Sequence, residues 1–133
     1  MKLNTLIVDD DAMVVFLHKL AVVESGLSNV PGVACNGKEA LTYIAQHQTS
    51  GTYFLILLDI NMPEMDGWGF LDAIQTLKVT TPISVVMVTS SIDKRDRNRA
   101  KEYSHVIDYV EKPLNSSTCA DLKKLPQLSV LFS

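Results

Sequence analysis

Apolar residues along the chain fall into short consecutive runs separated by longer stretches of mixed polarity. Runs at residues 3–8, 30–34, 54–58, 83–88 and 106–110 are rich in β-branched side chains and predict five strands. Several are apolar at successive positions, as expected of strands covered on both faces. Between the runs the pattern lengthens to a helical period. Asp11 is placed to cap a helix reaching about Glu24, with Val14, Leu17 and Ala21 as its apolar stripe. Asn36 followed three positions later by Glu39 predicts a capped helix to about His47. Helices are expected over 68–78 and 94–103, then a short one from near Ser117 that Pro126 ends early. Strand and helix alternate five times, which implies an α/β domain with a parallel sheet, five helices and right-handed crossovers.

Such sheets carry their functional groups just beyond the carboxyl ends of the strands, near the point where strand order reverses. Asp9 and Asp10 follow the first run, Asp59 the third, Thr89 and Ser90 the fourth, and Lys112 the fifth. Two carboxylates ~4 Å apart repel by about 4 kcal/mol at an effective dielectric of ~20. Three gathered together therefore require protons or a cation. Mg2+ suits them, because it takes about six oxygens and commonly uses one or two carboxylates plus waters and a phosphate. Lys112 and Thr89 add an ammonium and a hydroxyl, both suited to phosphate oxygens. The set fits chemistry on an aspartyl phosphate.

Composition narrows the class without adding a site. With 133 residues, 47% hydrophobic and 20% charged, the chain has the length and balance of one globular domain. Twelve Lys and Arg against fifteen Asp and Glu give a net charge of −3, so no global basic field invites nucleic acid. The acidic run Asp9–Asp11 interrupts the N-terminal apolar stretch too early for a signal peptide, and no run approaches the ~18 residues of a membrane span. Cys35 and Cys119 stand apart from any CxxC pattern and are expected as free thiols in a reducing, cytoplasmic setting. His18, His47 and His105 show no metal-ligand spacing. The charges crowded between Lys94 and Glu102 are of both signs, which predicts a solvated face.

The residues also carry a family likeness. Leu6-Ile7-Val8-Asp9-Asp10-Asp11, the stretch from Leu57 through Asp59, Asn61, Met62 and Pro63 to Asp66-Gly67, then Val88-Thr89-Ser90 and Tyr109-Val110-Glu111-Lys112-Pro113 resemble the receiver domain of two-component response regulators. The likeness is strongest over residues 1–125, within one domain at 1–133, and leaves 126–133 as an apolar tail. It implies a flavodoxin-like, doubly wound sheet of five parallel strands in the order 2-1-3-4-5. It implies a stand-alone phosphoacceptor signalling domain rather than an enzyme. Asp59 would take a phosphoryl group from a sensor histidine kinase, a phosphotransfer protein or a small donor such as acetyl phosphate. Asp10 and Asp59 would hold Mg2+ by their side chains, Asn61 by its backbone carbonyl, and Asp9 mainly through water. Thr89 and Lys112 would contact phosphoryl oxygens. Thr89 and Tyr109 would form a switch that alters the face of the fourth helix, fifth strand and fifth helix for a downstream protein. The Lys112-Pro113 bond is a cis candidate by the same likeness. Neither nucleic acid nor membrane is an implied partner. The apolar tail is expected to fold back on its own domain, with a homodimer contact as the alternative.

Two other classes share parts of this chemistry. A haloacid-dehalogenase-like phosphohydrolase needs a second Asp two positions after the nucleophile as acid and base, where this chain has Asn61. A flavodoxin-like FMN carrier needs a phosphate-cradling loop after the first strand, where this chain has three Asp. In a receiver that had lost phosphorylation some of these positions would be unfilled, and here all are filled.

Overall fold

A computed structural model of the chain describes residues 1–77 and 81–132. Five strands, β1 (Lys2–Val8), β2 (Gly32–Ala34), β3 (Thr52–Leu58), β4 (Ile83–Thr89) and β5 (Val106–Glu111), pair in parallel in the order β2-β1-β3-β4-β5. The helices are α1 (Ala12–Glu24), α2 (Gly37–His47), α3 (Gly67–Thr76), α4 (Lys94–Ala100), α5 (Ser116–Leu122) and α6 (Pro126–Ser129), and a 3-10 turn spans Val130–Phe132. Strand order reverses between β1 and β3, so Asp9, Asp10 and Asp59 leave the sheet at its switch point.

The apolar runs are consecutive because β1, β3, β4 and β5 each feed two cores. Leu6, Val8, Phe54, Ile56, Leu58, Val85 and Met87 pack under α2, α3 and α4 with Ile44, Phe70, Leu71 and Ile74. The alternate residues Ile7, Leu55, Leu57, Val86 and Val88 pack on the other face with Val22, Cys119, Leu122 and Leu128. Full burial of one such side chain contributes about 1.5–3 kcal/mol, and this sandwich fixes the strand ends that carry the acids.

Caps set where the helices begin. Asp11 Oδ1 accepts from the N–H groups of Met13 and Val14 at 2.9 and 3.2 Å. Asn36 Oδ1 accepts from Glu39 N–H at 2.9 Å, and Glu39 reaches back to the Cys35 N–H at 3.0 Å. Both caps were expected.

Other expectations need correction. Among the described residues six helices form where five were expected. Pro126 does not end α5, which closes at Leu122; it opens α6 at the first helical position, where its missing N–H costs nothing. Fully buried Leu128 anchors that extra turn, so the apolar tail folds back on its own domain. β2 starts at Gly32 rather than at residue 30, because Pro31 has no N–H for the ladder and Val30 stays exposed. α4 ends at Ala100, and Tyr103 beyond it stacks on Trp68 with ring centroids 6.0 Å apart. α3 ends at Thr76, and Lys78, its expected end, lies outside the described residues. On α1 the buried side chains are His18, Ala21 and Val22, while Leu17 is exposed together with Met13, Phe16, Leu20 and Val23.

Gly67 shows how tightly the site is backed. A Cβ there would lie 2.5 Å from the Asp59 carbonyl oxygen and 3.0 Å from the Ile60 Cα, both backbone atoms that cannot swing aside. Overpacking of this kind costs about 1–3 kcal/mol. Gly67→Ala should lower unfolding free energy by that amount in urea titration. Gly69→Ala, whose nearest neighbour is the flexible Met65 side chain at 3.0 Å, should cost clearly less.

Candidate functional site

The sheet brings Asp9, Asp10 and Asp59 together as expected, with one carboxylate oxygen from each inside a span of 4.8 Å. Asp9 and Asp59 are buried and Asp10 is exposed, so the cluster opens to solvent on one side. Lys112 arrives from the end of β5 between the two buried acids. Its Nζ lies 2.7 Å from Asp9 Oδ2 and 3.3 Å from Asp59 Oδ1. The Lys112-Pro113 peptide is cis. With all groups ionised, three carboxylates against one ammonium leave two formal negative charges in a partly buried space.

The electrostatics bear that imbalance. Burial raises the Asp59 carboxyl above the ordinary carboxylate range; Lys112 opposes the rise and Asp9 adds to it. For Lys112 burial favours the neutral amine, but hydrogen bonds and charge from Asp9 and Asp59 outweigh it and hold the ammonium above its usual range. Asp59 Oδ1 also accepts the Ile60 N–H at 2.9 Å. Its Oδ2 is left without a hydrogen bond among the described residues. The donors are all hard oxygens, the set that suits a hard divalent cation.

Thr89 is fully buried at the end of β4, and its Oγ1 accepts from the Ser91 N–H at 3.2 Å. Its carbonyl accepts from the Lys112 N–H at 2.9 Å, tying the two residues through the β4–β5 ladder. Tyr109 lies on β5, three residues before Lys112. Its hydroxyl donates to the Ser91 carbonyl at 3.2 Å and its ring lies under the Arg97 guanidinium, 4.7 Å from the centroid. Asn61 sits two residues beyond Asp59, exposed in the loop to α3. That loop is pinned by Gly37 N–H on the Met65 carbonyl at 2.8 Å.

A family model described as the response regulator receiver domain matches residues 5–122. The chain belongs to the response regulator receiver family. This receiver is 34% identical over 130 residues to a two-component response regulator of Arabidopsis thaliana, a match that covers 98% of this chain and 84% of that one. It is 32% identical over 112 residues to a protein-glutamate methylesterase/protein-glutamine glutaminase of Methanosarcina acetivorans, covering 83% of this chain but only 30% of that protein. A crystal structure of a two-component response regulator from Cytophaga hutchinsonii superposes over 100% of both chains, with a TM-score of 0.82 at 27% identity. No helix among the described residues of the receiver is long and apolar enough to cross a membrane.

Two contributors, Ser91 and Arg97, left no clear signal in the sequence. Ser91 belongs to no motif, and only its place two residues after Thr89 could have drawn notice. Arg97 was absorbed into a mixed charge run. His18, which has no metal-ligand spacing, is a core histidine: it is buried on α1 and its Nε2 accepts the Leu114 N–H at 3.1 Å, 96 residues away. That bond joins α1 to the segment just after Lys112-Pro113.

Because Nε2 accepts, His18 is neutral here. Burial lowers its pKa, with Asp9 raising and Lys112 lowering it in turn. The folded receiver thus binds this proton less readily than the unfolded chain, whose His titrates near ~6.5. The stability it contributes is complete above that pH and is lost as pH falls through the lower folded value. Acidification from ~7.5 to ~5.5 should lower the wild-type Tm more than that of His18→Gln, whose side-chain oxygen can still accept from Leu114.

Proposed function

We propose that this receiver is a phosphorylation-activated switch of a two-component phosphorelay, with Asp59 as the phosphoacceptor. The observation that carries the reading is the cluster itself: Asp9, Asp10 and Asp59 within 4.8 Å, faced by Lys112. Asp59 Oδ2 attacks phosphorus, the bond to the donor's imidazole nitrogen or acetyl oxygen breaks, and an acyl phosphate forms. Asp10 and Asp59 would hold Mg2+ through side-chain oxygens, Asn61 through its carbonyl and Asp9 through water. A bound Mg2+ supplies neutralisation of the charge on the transferring oxygens.

The chain's own groups do the rest. Lys112 is held as an ammonium and exchanges part of its pairing with Asp59 for a phosphoryl oxygen. Thr89 offers a hydroxyl to another. The incoming dianion therefore has different contacts with two arrangements of these residues, and that difference shifts the population. Tyr109 and the surface of α4, β5 and α5 carry the shift to a downstream protein. A sensor histidine kinase or phosphotransfer protein is the phosphodonor in this reading. The exposed apolar face of Met13, Phe16 and Leu20 on α1, beside Asp10, fits a protein donor better than a small one. The setting is the cytoplasm, where free Cys35 and Cys119 stay reduced.

Acetyl phosphate with Mg2+ should add one acid-stable, hydroxylamine-labile phosphoryl group, seen as a single mass shift of the intact protein. Asp59→Asn should abolish it, and continued labelling of that variant would place the acceptor elsewhere. In the same experiment Asp10→Asn should label at least tenfold more slowly, about 1.4 kcal/mol of barrier, if Asp10 helps hold the metal.

A further inference from the structure

Lys112 stands one residue past β5, where the ladder no longer holds both of its neighbours. Its own N–H donates to the Thr89 carbonyl at 2.9 Å, and Pro113 after it has no N–H to give. The next main-chain donor is the N–H of Leu114, and His18 Nε2 accepts it at 3.1 Å. Lys112 is thus fixed on both sides through main chain, by a strand carbonyl before the proline and an imidazole after it.

The imidazole belongs to the helix that the acids open. Asp9 Oδ1 accepts from the N–H of Asp11, the N-cap of α1, at 2.9 Å, and Asp9 Oδ2 holds the Lys112 ammonium at 2.7 Å. His18 lies midway along α1, buried, and the Leu114 side chain is buried with Val22 in the core beneath that helix. Two links therefore join α1 and its start to the Lys112 turn, and they differ in kind. The ammonium is shared between Asp9 and Asp59, so any change of charge at Asp59 alters its pairing. The bond from Leu114 to His18 is neutral and buried, and neither acid takes part in it.

A lysine ammonium is a point charge on a flexible stem, so its placement depends on where its backbone starts. The Asp59 contact is the longer of the two at 3.3 Å, and a small displacement of the turn would lose it first. Without an acceptor the buried Leu114 N–H must reach water, and the turn that carries Lys112 moves with it.

We propose that His18 is the positioning residue for Lys112, fixing the turn after β5 so that the ammonium spans Asp9 and Asp59 and stays in place for a phosphoryl oxygen. The proposal rests on the reading of Asp59 as the phosphoacceptor. His18 touches neither the acids nor the incoming group, and it acts through the Leu114 N–H alone.

The test reads Lys112 directly in the unphosphorylated protein. Proton exchange of its ammonium, followed by heteronuclear NMR and assigned by loss of the signal in Lys112→Met, reports how firmly the acids hold it. His18→Leu removes the acceptor and should speed that exchange about tenfold, equivalent to 1.4 kcal/mol. His18→Gln keeps an acceptor and should restore the wild-type exchange. Val22→Ala opens the same core elsewhere on α1 and should leave the exchange unchanged. Labelling of Asp59 by acetyl phosphate with Mg2+ should slow about tenfold in His18→Leu and in neither of the other two. Should His18→Leu not fold, His18→Asn, with the same amide as glutamine on a shorter stem, takes its place. Wild-type exchange or a wild-type labelling rate in the variant without the acceptor would overturn the proposal. So would an acceleration that His18→Gln fails to reverse or that Val22→Ala matches. Failure of the wild type to label would overturn the phosphoacceptor reading alone, because the ammonium measurement does not depend on it.

Discussion

Three carboxylates held against a single ammonium govern the whole carboxyl edge of the sheet. Asp9 and Asp59 are buried, and Lys112 stands within 3.3 Å of both. One ammonium cannot satisfy three acids, and at Asp59 burial raises the pKa first, Lys112 opposes it and neighbouring Asp9 adds to it. A fold selected for stability alone would replace such a cluster with apolar groups, since breaking even with buried charge demands complete pairing. The cluster makes sense as a place prepared for further positive charge and for an anion that arrives with it.

Holding like charges together requires a scaffold that cannot relax. The sheet supplies it by burying alternate residues of β1, β3 and β4 in separate cores on opposite faces. β1 and β3 pair along their full length, from Lys2 with Thr52 to Val8 with Leu58, which fixes the offset of Asp9 against Asp59. Gly67 then lets the start of α3 press on the Asp59 carbonyl, where any side chain would intrude. Stiffness of this kind concentrates any response to new charge in the loops beyond the strands.

That division explains which parts were legible in the sequence. Continuous apolar runs, the Asp11 and Asn36 caps and the acids after the first and third runs are local signals, and apart from the start of β2 each stands where its pattern placed it. Misplaced features depended on contacts between distant segments. The core side of α1 is set by His18 reaching Leu114 rather than by a purely apolar stripe, in a helix that is hydrophobic nearly all round. α6 exists because Leu128 finds a buried site among residues from α1 and α5, which nothing next to Pro126 announces. The register shift between Val85 and Val86 against β5 likewise leaves no mark in either strand's composition. Ser91 has the same opacity, for its bonds run to Thr89, Tyr109 and α4 while its own neighbours look like any polar loop.

Backbone pairing limits how a signal can leave the site. The Thr89 carbonyl accepts from the Lys112 N–H at 2.9 Å, and Thr89 pairs with Glu111 in the ladder. The two residues proposed to grip a phosphoryl group are therefore tied through main chain, one at the end of β4, whose Val86 and Met87 are fully buried, and the other just past its partner β5. Moving either strand would break ladder bonds and open the core, a cost far above what one new ligand contact returns. The freedom that remains lies in the Thr89 side chain and in residues 90–93, beyond the last paired position. Tyr109 is half-buried, its ring packed against the core edge and its hydroxyl bonded to the Ser91 carbonyl in that segment. In the proposed switch a change at Asp59 would therefore reach α4 through the loop after β4, because the packed sheet resists displacement.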